Sequence, residues 1–303
     1  MIKDIPSERD FVETGLSLLG FAWDSAIELL SEVQNPEDYG DDPELIEAFW
    51  SAARQTLLIA TTIAQQGVEF IIKGRIVAVS PFLLIANAPR DWPRGGEADV
   101  PFAAFRAIDA QDLVRVHDTV ATRPFDPEFV GKFEELRANR NAIVHTIDHR
   151  IAVQAADVLR DILVVYRHLF HRGDWLSKRR EYLERSPAAE LYSADFVEER
   201  VVWEVSLIAK VLTNGEMSEF FGFSRQQRKY ICPVCACSSG NLEMLPDTAM
   251  LDPNTPSSTA VHCFVCGVTT PVTRTDCKFE DCPGNVMSSE ESQCLTCGRH
   301  GAA

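Results

Sequence analysis

The sequence predicts a mainly α-helical protein, a helical bundle followed by a small metal-binding domain. Before residue 228, apolar residues recur at the three- and four-residue steps of amphipathic helices. No segment of useful length in that part alternates between apolar and polar residues, as a half-buried strand would. All nine cysteines lie between Cys232 and Cys297. We therefore expect a helical domain over residues 1–224 and a cysteine-rich domain over residues 225–303.

The composition excludes a protein that coats nucleic acid through bulk positive charge. The net charge is −16, and the first 50 residues hold thirteen acidic residues against Lys3 and Arg9. A local basic patch remains compatible with this total, because binding depends on local charge. The N-terminus lacks the apolar core of a secretory signal, and no apolar stretch is long enough to span a bilayer. We expect a cytoplasmic protein without a membrane partner.

Two long helices open the chain. Ser7 and Asp10 form a capping-box pattern, which predicts a helix that ends before Asn35. The sequence Asp42-Pro43-Glu44 predicts a second helix start, because a capping Asp precedes Pro at the first helical position. This helix ends at Pro81 and is apolar around most of its circumference, as the central helix of a bundle is. The stripe of the first helix consists of Val12, Leu16, Leu19, Trp23, Ile27 and Leu30.

Shorter helices follow a long Pro- and Gly-containing loop at residues 88–101. One helix is expected over Ala110 to Val120, and another begins at Asp126-Pro127-Glu128. A third runs from about Ile151 to Phe170. The remaining helices are expected at about 174–186, 194–213 and 215–221.

The cysteines form two sets with metal-ligand spacing. The pairs Cys232-Pro-Val-Cys235 and Cys263-Phe-Val-Cys266 are separated by 27 residues, and each suits a tight turn whose two thiolates reach one metal. Gly267 suits the left-handed conformation that such a turn requires. The second set has a wider first pair and consists of Cys277, Cys282, Cys294 and Cys297.

Four protein ligands leave no open position, so we expect two structural Zn²⁺ ions, at about residues 230–268 and 275–299. An iron–sulfur cluster is the competing cofactor. Cys237 is left over and is either a replacement for Cys235 or a spare thiol, while His262 and His300 are alternative ligands. The layout resembles tandem zinc ribbons. Because the domain has few cations, a protein partner or a bracing role fits these ribbons at least as well as nucleic acid.

Residues 140–145 form the most informative segment, with the sequence Arg-Asn-Ala-Ile-Val-His. On a helix Asn141 and His145 share a face, and the long side chain of Arg140 lies beside them. His exchanges protons near neutral pH, and Arg offers a permanent charge that binds phosphate in a bidentate manner. Asn orients either group. This combination suits phosphodiester chemistry.

The segment resembles the signature of the HEPN superfamily, in which an arginine, a polar residue and a histidine stand near a helix end. A second resemblance is the upstream helix with Glu69, Lys73 and Arg75, and together the similarity covers roughly residues 1–215. It implies a dimerising helical bundle, which in active members is a metal-independent endoribonuclease of toxins and phage-defence systems. In inactive members the bundle serves dimerisation or binding, and the zinc ribbons would then dock a partner.

The resemblance also implies roles for residues at a site composed of two protomers. His145 would activate the ribose 2′-hydroxyl or protonate the leaving oxygen, Arg140 would hold the phosphate, and Asn141 would position both. Arg137, Glu69 and Lys73 are weaker candidates. Simpler interpretations remain open: His145 interacting with a helix dipole, Glu69 and Lys73 as a structural ion pair, and the basic run 178–180 as a solvated helix face rather than an RNA contact.

Overall fold

The computed structural model describes most of the chain as two compact units, Met1–Leu169 and Phe170–Ala303, here called the helical unit and the cysteine-rich unit. For His145 and Ser238 it describes the backbone alone. The described residues are 1–34, 42–92, 99–145, 153–170, 174–191, 196–224, 226–238, 247–290 and 292–301.

Five α-helices among the described residues build the helical unit, and the second one is central. Helix α2 contacts each of the other four, as its apolar circumference predicts. The predicted capping box at Ser7 is confirmed, and the Asp42 side chain accepts a hydrogen bond from the Glu44 backbone N–H at 2.9 Å. The helices are α1 (Glu8–Val33), α2 (Pro43–Val79), α3 (Ala110–Val120), α4 (Pro127–His145) and α5 (Ala155–Leu169). The start expected for α5 at Ile151 lies outside the described residues.

Helices α1 and α2 approach closely where both carry glycine. A Cβ atom added to Gly15 would lie 2.7 Å from the carbonyl oxygen of Gly67 and 2.6 Å from Cγ1 of Ile71. The neighbouring Val68 and Ile72 side chains on α2 are fully buried. Close backbone approach therefore lets these two long helices bury their apolar faces against each other.

The N-terminus and the segment between α2 and α3 form a strand pair that the sequence did not predict. Strand β1 (Ile2–Lys3) pairs in parallel with β2 (Val100–Pro101), with Ile2 opposite Val100. Strands of two residues are too short to show alternation, and their partners lie far apart in sequence. The expectation of a strand-free region before residue 228 is therefore wrong in this detail, although the region is mainly helical.

The cysteine-rich unit joins further helices to a small antiparallel sheet, with the strand order β3-β4-β5-β6. Helix α7 contacts α9, and the rings of Phe223 and Phe264 lie 4.2 Å apart. The helices α6, α7 and α8 thus belong to the same compact unit as the cysteine clusters, and the boundary that the cysteine content predicts at residue 225 stays a prediction. The elements are α6 (Trp175–Glu184), α7 (Phe196–Val211), α8 (Asn214–Phe221), α9 (Pro233–Ser238), β3 (Ala249–Leu251), β4 (Ala260–Cys263), β5 (Thr269–Thr273) and β6 (Met287–Ser288).

A buried ion pair joins α6 to α7. The side chains of Arg179 and Glu204 are both 0% exposed, and Arg179 Nη2 donates to Glu204 Oε1 at 2.6 Å. The next residue, Arg180, pairs with Glu198 at 2.8 Å. Neither the solvated face nor the RNA contact considered for this basic run applies to Arg179. Among the helices of the described ranges, none is long and apolar enough to cross a membrane.

Candidate functional site

A polar cleft of about 500 Å³ opens in the helical unit. Helices α2 and α4 form two of its walls, and the segment that leads into α3 forms the third. Arg140 and Asn141 both line this cleft, together with the weaker candidates Arg137, Glu69 and Lys73. The complete lining consists of Gln66, Glu69, Lys73, Ala107, Ile108, Asp109, Ala110, Gln111, Arg137, Arg140 and Asn141.

The Arg140 guanidinium is oriented by its neighbour on α4. Its Nη1 donates a hydrogen bond to Oδ1 of Asn141 at 3.1 Å. Within the described ranges, Arg140 makes no ion pair with a carboxylate. Because the partner is a neutral amide, no described carboxylate offsets the charge of the guanidinium, and its other donors can bind a ligand.

Helix α4 ends at His145, four residues beyond Asn141. The helical backbone places positions 141 and 145 on the same face of α4. The His145 side chain lies outside the part of the chain that the structure describes. Its predicted role as acid or base therefore stays a prediction.

Glu69 and Lys73 of α2 form an ion pair, in agreement with the simpler interpretation of their spacing. Glu69 Oε2 lies 3.8 Å from Lys73 Nζ, and these side chains are only 12% and 14% exposed. Glu69 Oε1 accepts a hydrogen bond at 2.6 Å from Nε2 of the buried Gln65. The hydrogen bond from Gln65 holds the pair in place, and both of its residues line the cleft, so the pair contributes to the electrostatics of the site.

Arg75, the third residue of the upstream resemblance, lies elsewhere. Its Nη2 donates to the backbone oxygen of Leu169, and its guanidinium stacks over the Phe125 ring at 5.4 Å. Burial lowers the pKa of Arg75 from its ordinary value. Arg75 joins α2 to the end of α5 and is not among the residues of the cleft.

Arg137 reaches the cleft but has an acidic partner. Its Nε donates to Oε2 of Glu134 at 3.0 Å. Lys73 has Glu69, as described above. Of the three cationic side chains in the lining, Arg140 is thus the one whose contact within the described residues is an uncharged group.

Sequence reasoning missed the third wall, which contributes Asp109 and Gln111. Asp109 Oδ2 accepts a hydrogen bond at 2.8 Å from Nη2 of Arg106. The side-chain amides of Gln111 and of Gln66 make no hydrogen bond to another described residue. The sequence predicts the helix that begins at Ala110, but nothing local places this segment opposite α2 and α4.

The first cysteine set forms a tight four-sulfur cluster in the cysteine-rich unit. The Sγ atoms of Cys232 and Cys266 lie 3.6 Å apart, and those of Cys235 and Cys263 lie 3.7 Å apart. A tetrahedral zinc site with Zn–S bonds of about 2.3 Å has S···S edges of about 3.8 Å, so the cluster fits zinc. Gly267 has φ +71°, which confirms its predicted left-handed conformation.

The second set forms a similar cluster despite its wider first pair. The Sγ atoms of Cys277 and Cys297 lie 3.9 Å apart, and those of Cys282 and Cys294 lie 3.8 Å apart. In each cluster all four sulfurs lie within 4.8 Å of one another. Arg299 Nε donates to Cys297 Sγ at 3.5 Å. Both clusters are thus compatible with closed, structural zinc sites.

The spare candidates lie outside these clusters. Cys237 is exposed and belongs to neither set, so Cys235 rather than Cys237 supplies the fourth sulfur of the first cluster. His262 Nδ1 lies 3.0 Å from Oγ1 of Thr269, its partner on the neighbouring strand. His300 is likewise outside both four-sulfur sets.

Comparison with known proteins gives no match to a protein family, to a curated protein or to a solved structure. The resemblances to HEPN domains and to zinc ribbons therefore rest on the residues described above.

Proposed function

We propose that this protein is a metal-independent endoribonuclease of the HEPN type, acting in a toxin or phage-defence system. The observation that carries the proposal is the position of Arg140 in the polar cleft, held by Asn141 and without a carboxylate partner among the described residues. A guanidinium in this state is well suited to bind a phosphodiester.

The surroundings of Arg140 favour an anion. The lining holds three cations, Lys73, Arg137 and Arg140, against the two carboxylates of Glu69 and Asp109, so positive charge is in excess. Arg137 adds a second guanidinium one helical turn before Arg140. Bidentate binding by Arg140 would hold a phosphate and stabilise the charge that builds on it in the transition state.

Transfer of two protons accompanies the cleavage reaction. A base removes the proton of the ribose 2′-hydroxyl, the 2′-oxygen attacks phosphorus, and the bond to the 5′-oxygen breaks. An acid then protonates this leaving oxygen, and the products are a 2′,3′-cyclic phosphate and a 5′-hydroxyl. His145 is the residue that we assign to these proton transfers, because imidazole titrates near neutral pH. No metal ion is needed for this sequence of steps.

Two further parts complete the proposal. A homodimer would bring the segment 140–145 of both copies to one composite site, as the HEPN resemblance implies. The two cysteine clusters would each hold a structural Zn²⁺, and the zinc ribbons would act as a sensor or recruitment module for a partner. RNA is the proposed substrate.

RNA cleavage by three variants tests the assignment. Zinc-loaded wild-type protein, H145A, R140A and the control R115A are incubated with varied single-stranded RNAs without added divalent ions, and again with brief EDTA treatment. We expect wild type to cut under both conditions and to leave cyclic-phosphate ends that mass spectrometry detects. Loss of a phosphate-binding group lowers such rates by about 10²–10³-fold, and loss of the acid–base group by about 10²–10⁴-fold.

R115A is the matched control, because Arg115 is an exposed arginine of α3 outside the cleft lining. It removes the same charge and should cut at the wild-type rate. Cleavage by H145A and R140A at the wild-type rate would contradict the assigned roles. A wild-type protein that folds and dimerises but cuts none of the RNAs would instead support a catalytically inactive HEPN bundle used for binding.

A further inference from the structure

We propose that the part of the cleft formed by Gln66 and Gln111 binds one unpaired RNA base, next to the phosphate at Arg140. This inference rests on the proposed function and goes beyond it, because it assigns the residues that select the nucleotide at the cut. The two glutamines come from different walls, Gln66 from α2 and Gln111 from the first turn of α3.

The size of the cleft leaves room beyond a phosphate. A volume of about 500 Å³ lies in the range of sites that hold a whole small molecule, roughly 300–1,000 Å³. A phosphate bound by Arg140 fills only part of this space. The remainder, lined by amides and carboxylates, is available to the base attached to the same nucleotide.

The chemistry of the two amides matches the edge of a base. Each amide offers one oxygen that accepts and one NH₂ group that donates. Within the described residues neither side chain makes a hydrogen bond, so a ligand that binds these amides displaces water and breaks no hydrogen bond to a described residue. An unpaired base presents its hydrogen-bonding edge freely, which a paired base in a duplex does not.

The charged residues near the amides narrow the choice of base. Asp109 and Glu69 place two carboxylates in the lining, and because a carboxylate has about four acceptor positions, each can accept a hydrogen bond from an amino group besides the contacts it already makes. They also repel a second phosphate. We therefore infer a preference for bases that carry an exocyclic amino group, which are adenine, guanine and cytosine, over uracil.

The wall that carries Gln111 is anchored before any ligand binds. The Ala86 N–H donates to the Arg106 carbonyl at 2.8 Å, and the Ile108 N–H donates to the Leu84 carbonyl at 2.9 Å. These bonds fix the entry into α3. None of the eleven lining residues is aromatic, so hydrogen bonds rather than stacking distinguish the bases.

Cut-site sequencing tests this inference. Wild type, Q66A, Q111A and the control Q55A digest a single-stranded RNA library that is random around the cut. We expect wild type to cut after amino-bearing bases about tenfold more often than after uracil, the effect of one good base contact. Q111A and Q66A should flatten this profile, whereas Q55A, which alters an exposed glutamine of α2 outside the cleft, should keep it.

Binding to the inactive variant H145A separates this inference from the proposed function. Calorimetry of H145A with the four nucleoside 3′-monophosphates should show the same base preference. The double variant H145A/Q111A should lose this preference, whereas H145A/R140A should bind all four nucleotides more weakly and by the same factor. Selective binding without any RNA cleavage would overturn the nuclease and keep the base site. Cleavage without base preference, or with a preference unchanged in both glutamine variants, would overturn the base site. Equal binding of all four nucleotides would do the same.

Discussion

At the residue scale, two glycines determine how closely α1 and α2 pack. A Cβ atom on Gly67 would lie 2.9 Å from the carbonyl oxygen of Gly15 and 3.1 Å from Cδ2 of Leu19. The first contact is with backbone, which cannot rotate away. The two helices would have to separate locally, and separation would weaken the packing of the buried side chains around them.

The substitution G67A should therefore destabilise the helical unit, by about 1–3 kcal/mol as overpacking in a dense core usually does. Thermal unfolding followed by calorimetry measures the effect. The matched control is G131A on α4, where an added Cβ meets nothing within 4 Å. This control should be neutral or stabilising by up to about 1 kcal/mol, because alanine is the better helix former. Equal behaviour of the two variants would show that the close approach has no energetic role.

The residues of the cleft differ in how far the sequence could predict them. Arg140 and Asn141 are adjacent, so one short motif was enough to single them out. Gln111 and Asp109 enter the site only because the segment before α3 folds back beside α2. Contacts between residues far apart in sequence leave no local pattern, so nothing in the sequence near Gln66 or Gln111 indicated that these two side chains face one cleft.

At the element scale, α6 and α7 are joined by the buried pair Arg179–Glu204. Arg179 Nε also donates to Glu204 Oε2 at 3.1 Å, so the pair is bidentate, and Arg200 adds a contact to Glu204 at 3.0 Å. Removal of Arg179 takes the fully buried, bidentate partner from Glu204, and the contact with Arg200, whose side chain is 20% exposed, compensates the buried charge only in part. The sequence showed only a basic run, because its partner lies 25 residues away.

The variant R179M should accordingly lose about 3–5 kcal/mol of stability in the cysteine-rich unit. K178M on the same helix is the control, since Lys178 pairs with Glu181 at the surface, with side chains 32% and 43% exposed. Exposed pairs contribute about 0–1 kcal/mol, so this control should unfold near the wild-type temperature. The double variant R179M/E204L should recover part of the loss. Similar melting of R179M and K178M in calorimetry would refute a stabilising role for the buried pair.

Helix boundaries were the most predictable feature of the elements. Ser7 and Asp42 cap their helices as their sequence context indicates, and α3 spans Ala110–Val120 as expected. Capping depends on residues within one turn, so the sequence carries it directly. The pairing of Ile2 with Val100 depends instead on tertiary structure, and no periodicity in the sequence predicts it.

At the scale of the whole molecule, the chain combines units with different sources of stability. The helical unit buries long apolar helix faces, among them Leu19, Trp23 and Ile27. The apolar group that packs together with the sulfur ligands of the second cysteine cluster consists of the buried Met287 and the partly buried Phe279. Little apolar burial of this kind supplies little free energy, so metal binding is expected to provide the difference.

Zinc content and metal removal test this division of roles. We expect two zinc ions per chain by metal analysis, about one in C235S, and two in the control C237S, because Cys237 is exposed and outside both clusters. Removal of zinc by a chelator should unfold the part of the cysteine-rich unit that holds the two clusters, since the binding free energy of structural zinc is also folding free energy. The helical unit should keep its own calorimetric transition.

Each outcome has a distinct meaning. Iron in place of zinc would identify the clusters as iron–sulfur sites, which cysteine ligation alone also permits. Loss of one ion in C237S but not in C235S would show that the ligand of the first cluster is the exposed cysteine, against the 3.7 Å contact between Cys235 and Cys263. Full stability after chelation would mean that side-chain packing alone holds the sheet. We expect none of these results. The eight cysteines form two groups of four, the sulfur spacing in each group fits a tetrahedral zinc site, and four protein ligands close each site.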